Sequence, residues 1–195
     1  MKIIIAEHAG FCFGVNKAVN AAEKAIEESN NEIVYSLGPL VHNSQVVDKF
    51  NNKGLEVVED INGLEGKKVI IRAHGIPKNL EEEAKNLGID LIDGTCPYVK
   101  AVHKRVEKYK RDGYEIIIIG DKNHPEIIGI NGWCNNEGII VNTEKEAMEL
   151  PNYNKICIVS QTTNTISKFE TITAILKDTG KEVDIFNTIC KATNL

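Results

Sequence analysis

The sequence predicts an α/β fold with two similar lobes, each a small parallel sheet flanked by helices. Three observations predict it. Short β-branched runs alternate with amphipathic helical stretches along the chain, and that alternation builds parallel sheets through right-handed crossovers. The length of 195 residues, with 42% hydrophobic and 26% charged residues, suffices for one large domain or two compact ones of ~100 residues each. Finally, Pro97 restricts the chain next to Cys96, which marks a joint. The expected lobes are therefore 1–96 and 97–190, with 191–195 beyond them.

In chain order, residues 3–6 read as a first strand. Residues 16–29 follow as a helix, with Ala18, Val19, Ala22, Ala25 and Ile26 at helical spacing. A strand at 33–37 and a helix at 44–52 repeat the pair. A strand at 69–73 precedes a helix at 79–87 that ends at Gly88, the usual stop. Residues 90–93 are short and extended, and 99–110 are helical up to Gly113. The run 115–119 is the most apolar, as a central strand should be. Strands at 139–141 and 156–160, a helix at 167–177 closed by Gly180, and a strand at 183–186 complete the chain. Eight such strands suit one sheet or two.

Charge and composition exclude several functions. Lysine and arginine total 23 against 28 acids, giving a net charge of −5 and a pI near 5.6. That balance disfavours nonspecific nucleic-acid binding but permits a local cationic pocket for a small anion. No run approaches the ~20 apolar residues of a membrane span. The N-terminal apolar stretch is too short for a signal-peptide core, which takes roughly 7–15 residues. A cytoplasmic protein with no membrane and no nucleic-acid partner is expected. Five cysteines, an odd number without a close pair, then argue against a disulfide framework and for metal binding or catalysis.

The chemistry-bearing residues gather behind strands, where ligands of open parallel sheets bind. Those ends carry Gly10-Phe11-Cys12-Phe13-Gly14, Val41-His42-Asn43, Ala73-His74-Gly75, Gly94-Thr95-Cys96-Pro97, His124-Pro125-Glu126, Gln161-Thr162-Thr163 and Thr188-Ile189-Cys190. Cys12, Cys96 and Cys190 share a context, and a cysteine at a helix N-terminus is readily a thiolate. Three convergent thiolates suit iron or zinc. Long gaps separate them along the chain, so a shared site must be assembled by the fold, between lobes. Gly10 and Gly14 flank Cys12 as where backbone approaches something closely.

Each remaining candidate has a bland and a chemical reading. His42, His74 and His124 together suit an anion, because a cationic imidazole donates two hydrogen bonds and the helix starts behind them add N–H donors for phosphate. Singly, each would equally cap a helix or fill a core. Glu126 is a first-turn acid or, in a metal pocket, a proton donor. Thr162 and Thr163 are an N-cap pair or ligand contacts. Cys134 and Cys157 read as small buried hydrophobes. His103, beside Lys104 and Arg105, reads as part of a solvated helix face, and His8 has only a weak claim.

The whole motif series, with Val15 after Gly14 and Arg72 before Ala73, resembles the 4-hydroxy-3-methylbut-2-enyl diphosphate reductase (LytB/IspH) family over essentially the full chain. The resemblance implies reductive removal of the hydroxyl of an allylic diphosphate alcohol, giving isopentenyl and dimethylallyl diphosphate in the non-mevalonate isoprenoid pathway. It implies a [4Fe–4S] cluster held by Cys12, Cys96 and Cys190, with one iron open. It places His42, His74 and His124 on the diphosphate or the hydroxyl network, Glu126 as proton relay and Thr162 in its support. Ferredoxin or flavodoxin is the implied electron donor. This agrees with the lack of the G-x-G-x-x-G spacing of a nicotinamide site. Family members continue with a further α/β lobe carrying a Ser-x-Asn motif for the diphosphate. The resemblance therefore implies that 191–195 begin a third lobe absent from this chain, and that the chain alone is inactive or weakly active. Two other readings compete: a zinc hydrolase with three cysteine ligands, and a non-catalytic α/β diphosphate-binding module with incidental cysteines.

Overall fold

The computed structural model of the chain describes residues 4, 10–41 and 43–193. The expected strand at 3–6 lies outside the described residues apart from the exposed Ile4, and His8 and His42 lie outside them too. The described elements are α1 (Phe13–Glu27), β1 (Val34–Leu37), α2 (Ser44–Asn51), β2 (Leu55–Val58), β3 (Lys68–Ile71), α3 (Lys78–Asn86) and β4 (Asp90–Asp93). There follow α4 (Pro97–Arg111), β5 (Glu115–Ile119), α5 (Pro125–Gly132), β6 (Ile139–Val141), α6 (Glu144–Met148), β7 (Tyr153–Ser160), α7 (Ile166–Leu176) and β8 (Gly180–Ile185). The strands form two four-stranded sheets, ordered β2-β1-β3-β4 and β6-β5-β7-β8. Every pairing is parallel.

The period-two geometry of a strand explains the packing of the second sheet. Ile116, Ile117, Ile118 and Ile119 of β5 are all fully buried, because successive side chains face opposite sides and both sides are covered. Ile116 and Ile118 pack with Val102 and Val106 of α4 and with Ile127 and Ile130 of α5. Ile117 and Ile119 pack with Phe169, Ile172 and Leu176 of α7. In the first sheet, α1 presents Ala18, Ala22 and Ala25 to the core. These small side chains let the helix approach the sheet closely. A Cβ at Gly94, just after β4, would lie 2.3 Å from the Ile71 carbonyl oxygen and 3.3 Å from Ala18.

Several expectations change. Strand β2 and helix α6 were not anticipated. Helix α5 was expected only as a start behind His124. Gly180 opens β8 instead of closing α7, which ends at Leu176 with Lys177 still right-handed. Gly88 does end α3 by adopting φ +69°. Helices α1 and α4 both begin earlier than expected, which makes Cys12 and Cys96 their N-cap residues. His103 is not on a solvated face. It is 3% exposed, within the stripe Val99, Val102, His103, Val106 that α4 buries.

The segment after β3 meets α4 and α5 of the other sheet. The Trp133 indole N–H donates to the Ile76 carbonyl at 3.0 Å. Lys78 pairs with Glu107 at 2.8 Å. A Cβ at Gly132 would stand 2.4 Å from Pro77 Cβ, so only glycine fits this crossing. Among the described residues, no helix is long and apolar enough to cross a membrane.

A thiol-lined cavity between the two sheets

Helix α1 begins at Cys12, whose carbonyl accepts from Asn16 N–H at 2.9 Å. Helix α4 begins at Cys96, with Pro97 at its first position, where the missing N–H costs nothing. The Cys96 N–H donates to the Ala73 carbonyl at 3.0 Å, and its carbonyl accepts from Lys100 N–H at 2.9 Å. Lys17 of α1 reaches across to the Thr95 carbonyl at 2.8 Å, which ties the two helix starts together. Gly14 explains how close they come: a Cβ there would sit 2.5 Å from Cys96 Sγ. The close approach expected at Gly14 is therefore present. Gly10 has nothing within 4 Å of such a Cβ and is glycine because of its φ of +137°.

The third cysteine arrives on an arm after β8. The Thr188 hydroxyl accepts from Ser160 N–H at 2.8 Å and donates to the Ser160 carbonyl at 2.5 Å. This pins the arm to the end of β7. The Cys190 N–H then donates to the Thr162 carbonyl at 2.7 Å. Cys12, Cys96 and Cys190 consequently line one cavity of about 140 Å³, together with His74, Glu126 and Thr162. Thr163 also lines it, and Val15, Ala73, Tyr98 and Val99 supply much of its apolar wall. Val15 and Ala73 stand in the motif series without a role of their own, and Tyr98 and Val99 read only as joint and helix, because apolar side chains beside a site look like core. A wider groove of about 440 Å³ runs beside β2, but Ile33, Leu55 and Val57 and the polar Asn51 and Glu56 that line it bring no convergent chemistry.

Glu126 enters from the first turn of α5 and is 1% exposed. Its Oε1 accepts the Thr162 backbone N–H at 2.5 Å, and its Oε2 accepts the Thr162 hydroxyl at 2.7 Å. Burial pushes the Glu126 carboxyl above the ordinary carboxylate range, while the two Thr162 bonds pull the other way. The helix start that would make Cys96 a thiolate is outweighed. Burial pushes this thiol up, against the Tyr98 and Val99 N–H groups, and the Cys190 and Cys12 sulfurs add to the push. The expectation of a thiolate from the helix N-terminus alone is thus corrected at Cys96.

Of the histidines, His74 lines the cavity. His124 stands edge-on to it, ring centroids 5.4 Å apart, and its Nδ1 accepts Glu126 N–H at 3.1 Å, capping α5. The capping alternative is therefore realised at His124, and it aims Glu126 inward. Cys134 and Cys157 are fully buried, and burial raises them to about 11 and about 12. They behave as core. Among the described residues, no three histidine, cysteine or acidic side chains stand together as a single-ion site.

Comparison with known proteins shows the family. The family model for the LytB protein matches residues 3–195. The chain is 46% identical over 193 residues to a 4-hydroxy-3-methylbut-2-enyl diphosphate reductase of Alkaliphilus oremlandii, covering 99% of this chain and 69% of that protein. It is 48% identical to the corresponding reductase of Caldanaerobacter subterraneus, covering 99% of this chain and 68% of that protein. A solved structure of (E)-4-hydroxy-3-methyl-but-2-enyl diphosphate reductase superposes with a TM-score of 0.85 at 45% identity, over 98% of this chain and 69% of that one. The chain belongs to the LytB protein family.

Proposed function

We propose that this chain carries the cluster-binding and proton-handling part of a 4-hydroxy-3-methylbut-2-enyl diphosphate reductase. The observation that carries the reading is the convergence of Cys12, Cys96, Cys190, His74, Glu126 and Thr162 on one cavity. The lobes that frame it are taken as 1–96 and 97–190. The residues fit a [4Fe–4S] group. Three soft thiols face one space, two of them on residues at helix N-cap positions, and Gly14 removes the Cβ that would crowd Cys96. A single zinc ion would need its three sulfurs about 2.3 Å from one point, whereas a cluster's ligands bind different irons. When bound, such a cluster supplies electrons and Lewis acidity to a substrate oxygen.

The chain's own residues do the rest. Loss of a hydroxyl as water requires a proton. Glu126, held protonated more readily by burial and aimed by Thr162, keeps that proton at its carboxyl oxygens. His74 and His124, with His42 by its sequence position, contact the diphosphate or the substrate hydroxyl network. The apolar wall of Val15, Ala73 and Val99 keeps water from the reacting centre. A ferredoxin or flavodoxin in the cytoplasm supplies the electrons.

Anaerobic purification tests the proposal. The expected result is a brown protein with about four irons and four sulfides per chain, which Cys12→Ser, Cys96→Ser and Cys190→Ser each abolish. Turnover of the allylic diphosphate with a reduced one-electron donor is then read on the same sample. Stoichiometric zinc without sulfide would overturn the reading in favour of a zinc site. Metal-free protein whose diphosphate affinity is unchanged in all three serine variants would leave only a binding module.

A further inference from the structure

We propose that His103 is a positioning residue for His74: its imidazole, wedged between the two sheets, holds the His74–Gly75 turn in place at the thiol cavity. The inference rests on the reading that His74 belongs to the site. His103 lies on α4, 3% exposed, and stacks on Trp133 with centroids 5.2 Å apart and planes 16° apart. Trp133 is itself fixed by its bond to the Ile76 carbonyl. The ring also abuts Gly75, which turns with φ +73°. A Cβ at Gly75 would lie 2.6 Å from His103 Cε1 and 3.1 Å from Thr95 Cγ2. Gly129 of α5 faces the same place: a Cβ there would stand 3.4 Å from the His74 carbonyl oxygen and 3.6 Å from His103 Nε2. The imidazole thus fills the space against which the backbone of His74 and Gly75 folds. From there contact continues through the His74–His124 ring pair to the cap that aims Glu126.

His103 is poorly explained as packing alone. Its Nε2 is buried without a hydrogen-bond partner, a cost that an apolar residue would avoid. Burial pushes it down to about 4; Asp93 raises it and Lys100 lowers it. The ring therefore sits neutral between Trp133 and Gly75. A flat, rigid ring suits this slot, since one face stacks on an indole and the Cε1–Nε2 edge meets two glycine backbones.

Two variants of the whole chain separate shape from bulk. His103→Phe keeps the flat ring, and His103→Leu keeps apolar bulk without it. The ring resonances of His74 and His124 can be followed because the chain has only five histidines. Binding of inorganic diphosphate is measured by calorimetry alongside. In His103→Leu the His74 signals move and diphosphate binds about tenfold more weakly, the scale of one lost hydrogen bond to a charged group. In His103→Phe both stay as in the parent. The double variant His74→Ala/His103→Leu binds no more weakly than His74→Ala, the non-additivity expected of residues acting through one another. Unmoved His74 signals in folded His103→Leu overturn the proposal, as do His74 signals displaced in folded His103→Phe. Should His103→Leu fail to fold, His103→Phe decides by the same criterion. If His74→Ala leaves diphosphate binding intact while His103→Leu still moves the His74 ring, the substrate reading fails and the positioning role stands.

Discussion

The sheets β2-β1-β3-β4 and β6-β5-β7-β8 run in the same order, and each is preceded by a 15-residue helix capped by a cysteine, Cys12 before α1 and Cys96 before α4. His42 follows Leu37 at the spacing with which His124 follows Ile119, and Cys96 and Cys190 each come after the last strand of a sheet. The two halves nevertheless differ in depth. In the second, β5 is buried on both faces and Glu126 and Thr162 are 1% and 5% exposed. In the first, the central strand β3 is buried as well, but the site residue Cys12 is open to solvent, so the difference in depth lies at the site. Raising a carboxyl's proton affinity requires a sealed, low-dielectric wall, which the second half provides around Glu126. Access for a substrate or electron donor requires the open wall that the first half provides.

The strongest way to break this division of labour is at the acid. In a full-length form, Glu126→Gln should keep iron, sulfide and diphosphate binding while turnover falls roughly 10²–10⁴-fold, or about 3–5 kcal/mol of barrier. Turnover within twofold of the parent would falsify the role given to the sealed half. Next come the cores. Ile118→Ala should destabilise by about 2–5 kcal/mol, and Leu91→Ala at the partly exposed edge by under about 2 kcal/mol. Equal losses in denaturant unfolding would show that the edge strand is packed as tightly as the central one.

A pH series sharpens the seam between the halves. His103 is held near 4 against an ordinary 6.5, so below 6.5 the unfolded chain binds a proton that the folded chain refuses. Stability should therefore fall as pH drops from 6.5 to about 4, by up to roughly 3 kcal/mol from this group. Glu126, raised by burial, acts with the opposite sign: its contribution is lost as pH rises through the carboxylate range. Subtracting the His103→Phe curve isolates the histidine, and identical curves would remove it from the seam. Smallest are the helix caps, one in each half. Asn43→Ala on α2 and Thr143→Ala on α6 each lose a bond to a helix N–H. Each should cost about 1 kcal/mol in unfolding free energy.

The central strands were legible because β3, β5 and the end of β7 carry runs of β-branched apolar residues. The misses have particular causes. Strand β2 is an edge behind the turn-like run Asn51-Asn52-Lys53-Gly54, which reads as loop. Helix α5 contains Gly129 and Gly132, which weaken any helix signal. They are there because the first half's backbone crosses at those points. His103 was misread from its neighbours Lys104 and Arg105, although its spacing with Val99, Val102 and Val106 already placed it on the buried stripe of α4. Conversely, strand-end placement alone singled out the three cysteines, His74, Glu126 and Thr162.

By itself the sequence determined the parallel α/β class and the set of polar residues behind the strands, because both follow from local periodicity and from chain geometry at strand ends. Only the tertiary structure decided that these residues face one cavity, that burial raises Glu126 and Cys96, and that His103 sits in the seam. Desolvation and close approach depend on which surfaces meet, and surfaces that meet here come from opposite ends of the chain.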